Sequence, residues 1–360
     1  MEYYLFVSND CNLNCRYCSV LLDTKTAGIP SKPVYSISEL NKFIDILQTK
    51  QNDGVADIVF FGGEPTLNYQ FIADVIESQR KLQGLPYSFR YMLHTNGLLL
   101  QKMPDTILFN LDTIMLSINY DKVPHNNLQT GYFREIADAI RSTRNRKSIQ
   151  IIGRLTITEE TSLYSEVALF NSFFDAIYWQ IENKQEFDNF DRYLKNYRFE
   201  LHLLLDLWLS YLKKGILLKL VPFMAAACFY CESEVPDAFC CGYNNSMIYI
   251  QTNGTCYTCA EDMLSTRNLV GSIINGIKFP QFGLKDTECM SCSYLTVCKG
   301  RCGRMHREFS ADHIKEYCML NKIMFDLIKN HLDEIRELCA QNNIRLSVAD
   351  PIYHYTEYTP

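Results

Sequence analysis

Fifteen cysteines in a chain of 360 residues are unevenly placed. Three fall within Cys11-Asn-Leu-Asn-Cys-Arg-Tyr-Cys18, eleven lie between 228 and 318, and one stands at 339. Inert buried thiols would be scattered, because burial imposes no spacing. Clustering favours metal sites, and the C-x3-C-x2-C spacing narrows the choice. A disulfide uses two sulfurs and a closed structural zinc site takes four ligands, so three leave one coordination position open. Thiolate is a soft ligand suited to iron–sulfur clusters, zinc or copper(I). No histidine stands near this loop to make the mixed donor set common in catalytic zinc sites.

The compartment bears on the same question. The N-terminus MEYYLFVSNDC has no basic n-region, and no apolar run approaches the ~20 residues of a membrane span. A cytoplasmic location is therefore expected, where thiols stay reduced and disulfides are rare. A net charge of −6 removes the broad basic field that a nucleic-acid partner needs. Neither nucleic acid nor membrane is an expected partner.

From residue 1 to about 215 the pattern alternates. Apolar, β-branched runs at 3–7, 58–61, 89–93, 113–118, 149–157 and 176–181 read as strands. Helical periodicity fills 38–47, 69–81, 133–144, 163–174 and 187–213, with Ser36 or Ser38 starting the first helix and Pro104 opening a short one. Such alternation predicts parallel strands with right-handed crossovers, in a partly closed barrel or an open doubly wound sheet. Either architecture collects chemistry at the C-terminal ends of strands, where both the three-cysteine loop and Gly62-Gly63-Glu64-Pro65 lie. Beyond 215 the cysteines become dense, turns bracket a short strand at 247–251, and helical periodicity returns at 319–340. Metal ligation is expected to help fold this loop-rich part. The last residues, YHYTEYTP, read as a surface tail.

The three-cysteine loop after the first strand, with Tyr17 before the last cysteine, resembles the signature of the radical S-adenosylmethionine (SAM) superfamily. That resemblance implies a partial (β/α)6 TIM-like barrel over 1–215. It also implies a [4Fe–4S] cluster on Cys11, Cys15 and Cys18 whose open iron binds SAM for reductive cleavage to a 5′-deoxyadenosyl radical. In the family the Gly-Gly-Glu-Pro turn holds the SAM amine, here Gly62, Gly63 and Glu64. Ser117 and Asn119 match a segment contacting its ribose and carboxylate, although an acid is common where Asn119 stands. Arg154 matches an arginine that pairs with the carboxylate as a fixed-charge fork. His94-Thr-Asn-Gly97 is also familiar there, though Asn96-Gly97 reads equally as a turn.

Seven C-terminal cysteines fit one spaced pattern: Cys241, Cys259, Cys289, Cys292, Cys298, Cys302 and Cys318. A pair of zinc ribbons is the plainer reading, since C-x2-C knuckles recur in them. Behind a radical SAM signature, the pattern resembles a SPASM domain (here 216–345, leaving 346–360 as the tail), which holds two auxiliary [4Fe–4S] clusters. The resemblance assigns Cys289, Cys292, Cys298 and Cys318 to the distal cluster. It assigns Cys241, Cys259 and Cys302 to the proximal one, with Cys231 favoured over Cys228 and Cys240 as its further ligand. Cys256 and Cys339 fall outside the pattern and read as bystanders.

SPASM enzymes mostly modify peptides or proteins, and this chain resembles anaerobic sulfatase-maturating enzymes and ribosomal-peptide maturases. Sulfatase-maturating enzymes carry an aspartate directly after the cysteine matching Cys259; here Ala260 stands there, followed by Glu261 and Asp262 as catalytic candidates. A radical SAM peptide maturase forming a thioether or carbon–carbon crosslink is therefore preferred over a formylglycine-generating enzyme or an epimerase. An iron–sulfur electron-transfer or redox-sensing protein is the reading of another class. Expected partners are a ribosomal precursor peptide, a reductant such as ferredoxin or flavodoxin, and a separate leader-binding protein.

Overall fold

A computed structural model describes residues 1–15, 17–18, 28–51, 54–118, 128–230, 246–261, 265–279, 282–347, 350–354, 356 and 359–360. The described strands are β1 (Glu2–Ser8), β2 (Val55–Gly62), β3 (Ser88–Thr95), β4 (Thr113–Ser117), β5 (Gln150–Ile157), β6 (Ala176–Ile181), β7 (Met247–Ile250), β8 (Thr255–Tyr257), β9 (Leu269–Ser272) and β10 (Gly276–Ile277). The described α-helices are α1 (Ile37–Gln51), α2 (Tyr69–Arg80), α3 (Asp105–Leu108), α4 (Leu128–Arg146), α5 (Leu163–Phe170), α6 (Phe190–Lys213), α7 (Val221–Phe229), α8 (Leu295–Cys298), α9 (Gly303–Glu308), α10 (Ala311–Asn330) and α11 (Leu332–Gln341). No helix among the described residues is long and apolar enough to cross a membrane. Contacts group the chain into two units, residues 1–117, 121–151 and 242–281 in one, and 118–120, 152–241 and 282–360 in the other.

In the first unit, β1, β2, β3 and β4 pair in parallel in that order. Their apolar runs are continuous because both faces are covered: Leu5, Phe6, Ile58, Val59, Phe60, Met92, Leu93, Ile114 and Leu116 are buried. Ser36 starts α1 with a reciprocal cap, its Oγ accepting from Glu39 N at 3.2 Å while Glu39 Oε2 accepts from Ser36 N at 2.8 Å. On the other side of β1 lies β7, also parallel, with Glu2 opposite Met247 and Leu5 opposite Ile250. The antiparallel strands β8, β9 and β10 extend this edge.

The parallel register brings the ends of β1 and β2 together, which seats the Gly62-Gly63 turn on the segment leading to Cys11. Gly63 N donates to Ser8 O and Glu64 N to Asp10 O, both at 2.8 Å. A Cβ on Gly62 would stand 2.3 Å from Ser8 O, and one on Gly63 2.4 Å from Asp10 O. Both obstacles are backbone, so neither can swing aside.

In the second unit, β5 pairs in parallel with β6, Arg154 opposite Tyr178 and Thr156 opposite Gln180. All nine residues of α7 are buried, as in a helix apolar on every face. Its Phe223 meets Trp179 and Trp208 edge-on at ring distances of 5.5 and 5.6 Å. Ser310 caps α10 through His313 N. Tyr317 on that helix then ties it to the end of β6, its hydroxyl donating to Glu182 O at 2.5 Å and accepting from Lys184 N at 3.0 Å.

Three expectations need correction. The helical stretch expected over 319–340 is two helices, α10 starting earlier at Ala311 and α11 following a break at His331 (φ −111°, ψ 10°). The helix expected to reach 174 ends at Phe170. The expected surface tail is packed: Ile352, Tyr353, Thr356 and Thr359 are buried, and Thr359 Oγ1 donates to Cys298 O at 3.0 Å. Their threonine and tyrosine hydroxyls make the segment look polar in sequence, yet these side chains bury readily once bonded.

Replacing Gly63 with Ala is expected to destabilise the protein by about 1–3 kcal/mol, read as a lowered midpoint of urea unfolding, because backbone must shift to admit the methyl group. A second expectation concerns Glu2, whose Oε2 is buried without a partner among the described residues. Burial, reinforced by the neighbouring Asp57, pushes its carboxyl up from 4.5 to about 8. The folded state thus holds a proton that the unfolded state has released, so stability falls as pH rises from about 4.5 to about 8, by up to about 1.4 kcal/mol per pH unit. Glu2→Gln should flatten that part of the stability profile relative to the parent protein.

Candidate functional site

The described thiols of the N-terminal loop, Cys11, Cys15 and Cys18, are all half-buried. Leu13 N points at Cys11 Sγ at 3.4 Å, and Cys18 N donates to Cys15 O at 3.2 Å, so the loop turns its backbone inward on its own sulfurs. Burial pushes the Cys11 thiol up to about 11, with the Glu64 carboxylate and the other two thiols adding to the rise. Such a thiol ionises only when a cation compensates, which metal ligation does. Cys18 packs against Phe6, Tyr257 and Ala260, next to the segment carrying Cys259.

Polar side chains at strand ends hold this loop in place. Glu64 is almost fully buried and caps the short 3-10 turn Pro65–Asn68. Its Oε1 accepts from Thr66 N, Thr66 Oγ1 and Thr95 Oγ1 at 3.1, 2.5 and 2.6 Å; its Oε2 accepts from Asn96 N at 2.8 Å. Oε1 is crowded while Oε2 has one donor, which leaves the latter with room for one more. Asn96 Nδ2 in turn reaches Asn12 Oδ1 at 2.7 Å and lies 4.0 Å from Cys11 Sγ. On the far side, Asn9 Nδ2 donates to Pro30 O, Gln251 Oε1 and Thr252 Oγ1 at 2.8–2.9 Å. Thr95 and Asn96 belong to the His94–Gly97 segment already singled out in the sequence, whereas Asn9 was not among the expected site residues. Their position at the ends of β3 and β1 was the available signal.

Ser117, at the end of β4, shares a hydrogen bond of 2.9 Å with His94 Nε2. In the second unit, the Arg154 guanidinium is bonded to Gln180 Oε1, and Arg154 O accepts from Ile118 N at 2.9 Å. Glu261 is half-buried beside the buried Ala260. Asn119, Cys231, Cys240, Cys241 and Asp262 lie outside the described residues.

A second array lies in the second unit. Cys289, Cys292, Cys298 and Cys318 line one cavity, together with Cys302, Arg301, His306 and Tyr317. The two turns that carry the first three thiols are set by short bonds, Cys292 N to Cys289 O at 2.9 Å and Cys298 N to Tyr294 O at 2.8 Å. Cys318 comes from α10, held by the Tyr317 bonds described above. Burial pushes Cys298 up to about 12 and raises Cys289 and Cys318 as well. His306 Nε2 lies 3.4 Å from Cys289 Sγ, and burial holds its ring below the usual range. No group of three or more His, Cys, Asp or Glu side chains among the described residues could hold a metal ion. Four thiols around one cavity are the soft donor set that an iron–sulfur cluster takes. Cys228, Cys256 and Cys339 are buried, and Cys256 Sγ lies 3.7 Å from Gly254 O.

Residues 5–161 match the Radical SAM superfamily. The chain is 29% identical over 226 residues to a radical SAM cyclopropyl synthase, TigE, of Paramaledivibacter caminithermalis, covering 58% of this chain and 42% of that one. The chain thus spans well under half the length of that relative. It is 23% identical over 356 residues to a cysteine-type anaerobic sulfatase-maturating enzyme of Clostridium perfringens, covering 89% of this chain and 93% of that one. The solved structure of anSMEcpe with bound AdoMet and a Cp18Cys peptide has the same fold, with a TM-score of 0.67 at 18% identity over 93% of this chain and 99% of that one. The cysteine loop, the glycine turn and strands β2 to β5 thus lie within the one segment, residues 5–161, that matches the Radical SAM superfamily.

Proposed function

We propose that this protein is a radical SAM peptide maturase acting on a ribosomally made peptide, in which it forms a thioether or carbon–carbon crosslink. The observation that carries the reading is the three-thiol loop seated backbone-to-backbone on the Gly62-Gly63 turn. In this reading Cys11, Cys15 and Cys18 hold a [4Fe–4S] cluster, and the turn orients SAM through Gly62, Gly63 and the remaining acceptor site of Glu64 Oε2. Ser117, Asn119 and Arg154 would take the ribose and carboxylate. When bound, SAM and the reduced cluster supply a 5′-deoxyadenosyl radical that takes a hydrogen atom from the substrate. His94 orients the Ser117 hydroxyl toward its partner, and Gln180 fixes the Arg154 fork.

The SPASM segment, 216–345, would hold two further clusters. Cys289, Cys292, Cys298 and Cys318 hold the distal one, in keeping with their shared cavity. Cys231, Cys241, Cys259 and Cys302 are assigned to the proximal one. Glu261 and Asp262 are the candidates for proton transfer after hydrogen abstraction. A reductant such as ferredoxin or flavodoxin delivers the electron, the peptide is bound either directly by this chain's own surface or through a separate leader-binding protein, and the cytoplasm is the proposed compartment.

The peptide held by anSMEcpe supports a peptide substrate, and the cyclopropyl synthase supports carbon–carbon bond formation. Formylglycine formation is the second reading, favoured by the near full-length match to the sulfatase-maturating enzyme. Ala260, buried where an aspartate would be expected after Cys259, weighs against it.

Anaerobic reconstitution should give about twelve irons per chain, four for each cubane. The Cys11/Cys15/Cys18→Ala variant should fall to about eight and release no 5′-deoxyadenosine with dithionite and SAM, as measured by chromatography. Retained SAM cleavage in that variant would refute the site. Incubation with a candidate precursor peptide should lower its mass by two hydrogens for a crosslink, whereas unchanged mass points to epimerisation.

A further inference from the structure

We propose that Arg301 sets the reduction potential of the cluster held by Cys289, Cys292, Cys298 and Cys318. The inference rests on the reading that these thiols carry an iron–sulfur cluster. Its first support is backbone geometry. Lys299, Gly300 and Arg301 have φ of 55°, 77° and 53°, three left-handed residues in a row between Cys298 and Cys302. Glycine adopts this conformation freely; an arginine there is strained by about 1 kcal/mol or more. Among the described residues, the other non-glycine position with positive φ outside this loop is Asn343, of a residue type that tolerates it.

The Arg301 side chain faces the thiols. Arg301 lines their cavity, and its Cζ lies 4.6 Å from the ring centre of Tyr317, which lines it too. Nε donates to Pro360 O at 2.7 Å, so the buried C-terminal residues hold the fork in place. Its charge favours the ionised form of both Cys298 and Cys318. Lys299 turns elsewhere, its Nζ lying 4.1 Å from the ring centre of Phe229. The other charges that act on these thiols are Lys322, which favours ionised Cys318, and Glu288, which opposes ionised Cys289.

The physical effect has a fixed sign. One-electron reduction adds negative charge to a cluster that its four thiolates already make anionic. A guanidinium stays protonated at every working pH, so it stabilises the reduced form and raises the potential. Arg301 would act through the cluster as a positioning residue and touch no substrate.

The test uses the reconstituted full-length protein and redox titration followed by electron paramagnetic resonance. Cys298→Ala first identifies the signal of this cluster by its loss; if parent protein shows no signal that this change removes, the cluster reading itself fails. With the signal present, Arg301→Gly should keep the iron content and shift the midpoint to a more negative potential, since glycine also relieves the backbone strain. Arg301→Lys should keep a midpoint near that of the parent. An unchanged midpoint in Arg301→Gly overturns the proposal, as does loss of iron in that variant. A shift in Arg301→Lys as large as in Arg301→Gly overturns it too, because charge would then not be the cause.

Discussion

The close approach of two backbones governs the first site. Ser8 and Asp10 accept the amide hydrogens of Gly63 and Glu64, and no side-chain atom separates the segments. That contact exists because β1 and β2 run parallel and end at the same level, so the loop after one lands on the turn after the other. Everything added later is orientation. Glu64 ties its own turn to Thr95 and Asn96, and Asn96 passes the restraint on to Asn12 in the cysteine loop. Asn9 holds the loop's other flank against Gln251 and Thr252. The thiols are therefore presented by a frame that the protein's own backbone and side-chain hydrogen bonds build.

The two described thiol arrays share an electrostatic problem. Burial makes Cys11 in the first, and Cys289, Cys298 and Cys318 in the second, reluctant to ionise. A ligand must be thiolate, so the cost of desolvating it is met by the cation it binds, and folding and metal uptake become one process. The arrays differ in their surroundings. Cys11 lies near the Glu64 carboxylate, whereas Cys298 and Cys318 lie near the Arg301 guanidinium.

Much of this was readable from residues alone. Six β-branched runs marked β1–β6, because strands covered on both faces leave an apolar signature that needs no partner to be recognised. The cysteine spacing was equally local. What escaped was whatever depended on distant pairing or on hydrogen-bond bookkeeping. The strand at 247–251 could be seen, but its place beside β1 could not, since register is decided by contacts across most of the chain. Glu64 looked like a group waiting for a ligand; four donors now occupy most of it. The polar appearance of the last residues concealed that the hydroxyls of Thr356 and Thr359 are satisfied indoors, by Ile352 O and Cys298 O. Arg301 carried no sequence signal, because a left-handed φ is invisible until the turn is built.

The pairing of β1 with β7 has a consequence for biosynthesis. Leu5 and its neighbour Ile250 are 245 positions apart along the chain, so at roughly 5–20 residues per second a ribosome needs about 12–50 seconds to supply the second after the first. Throughout that interval one margin of the nascent sheet exposes unpaired amides and carbonyls, a template for misassociation with other chains. Glu2 lies on that margin. In the open chain its carboxyl is ionised and places a charge on that margin, whereas in the folded protein burial and the neighbouring Asp57 push it up to about 8.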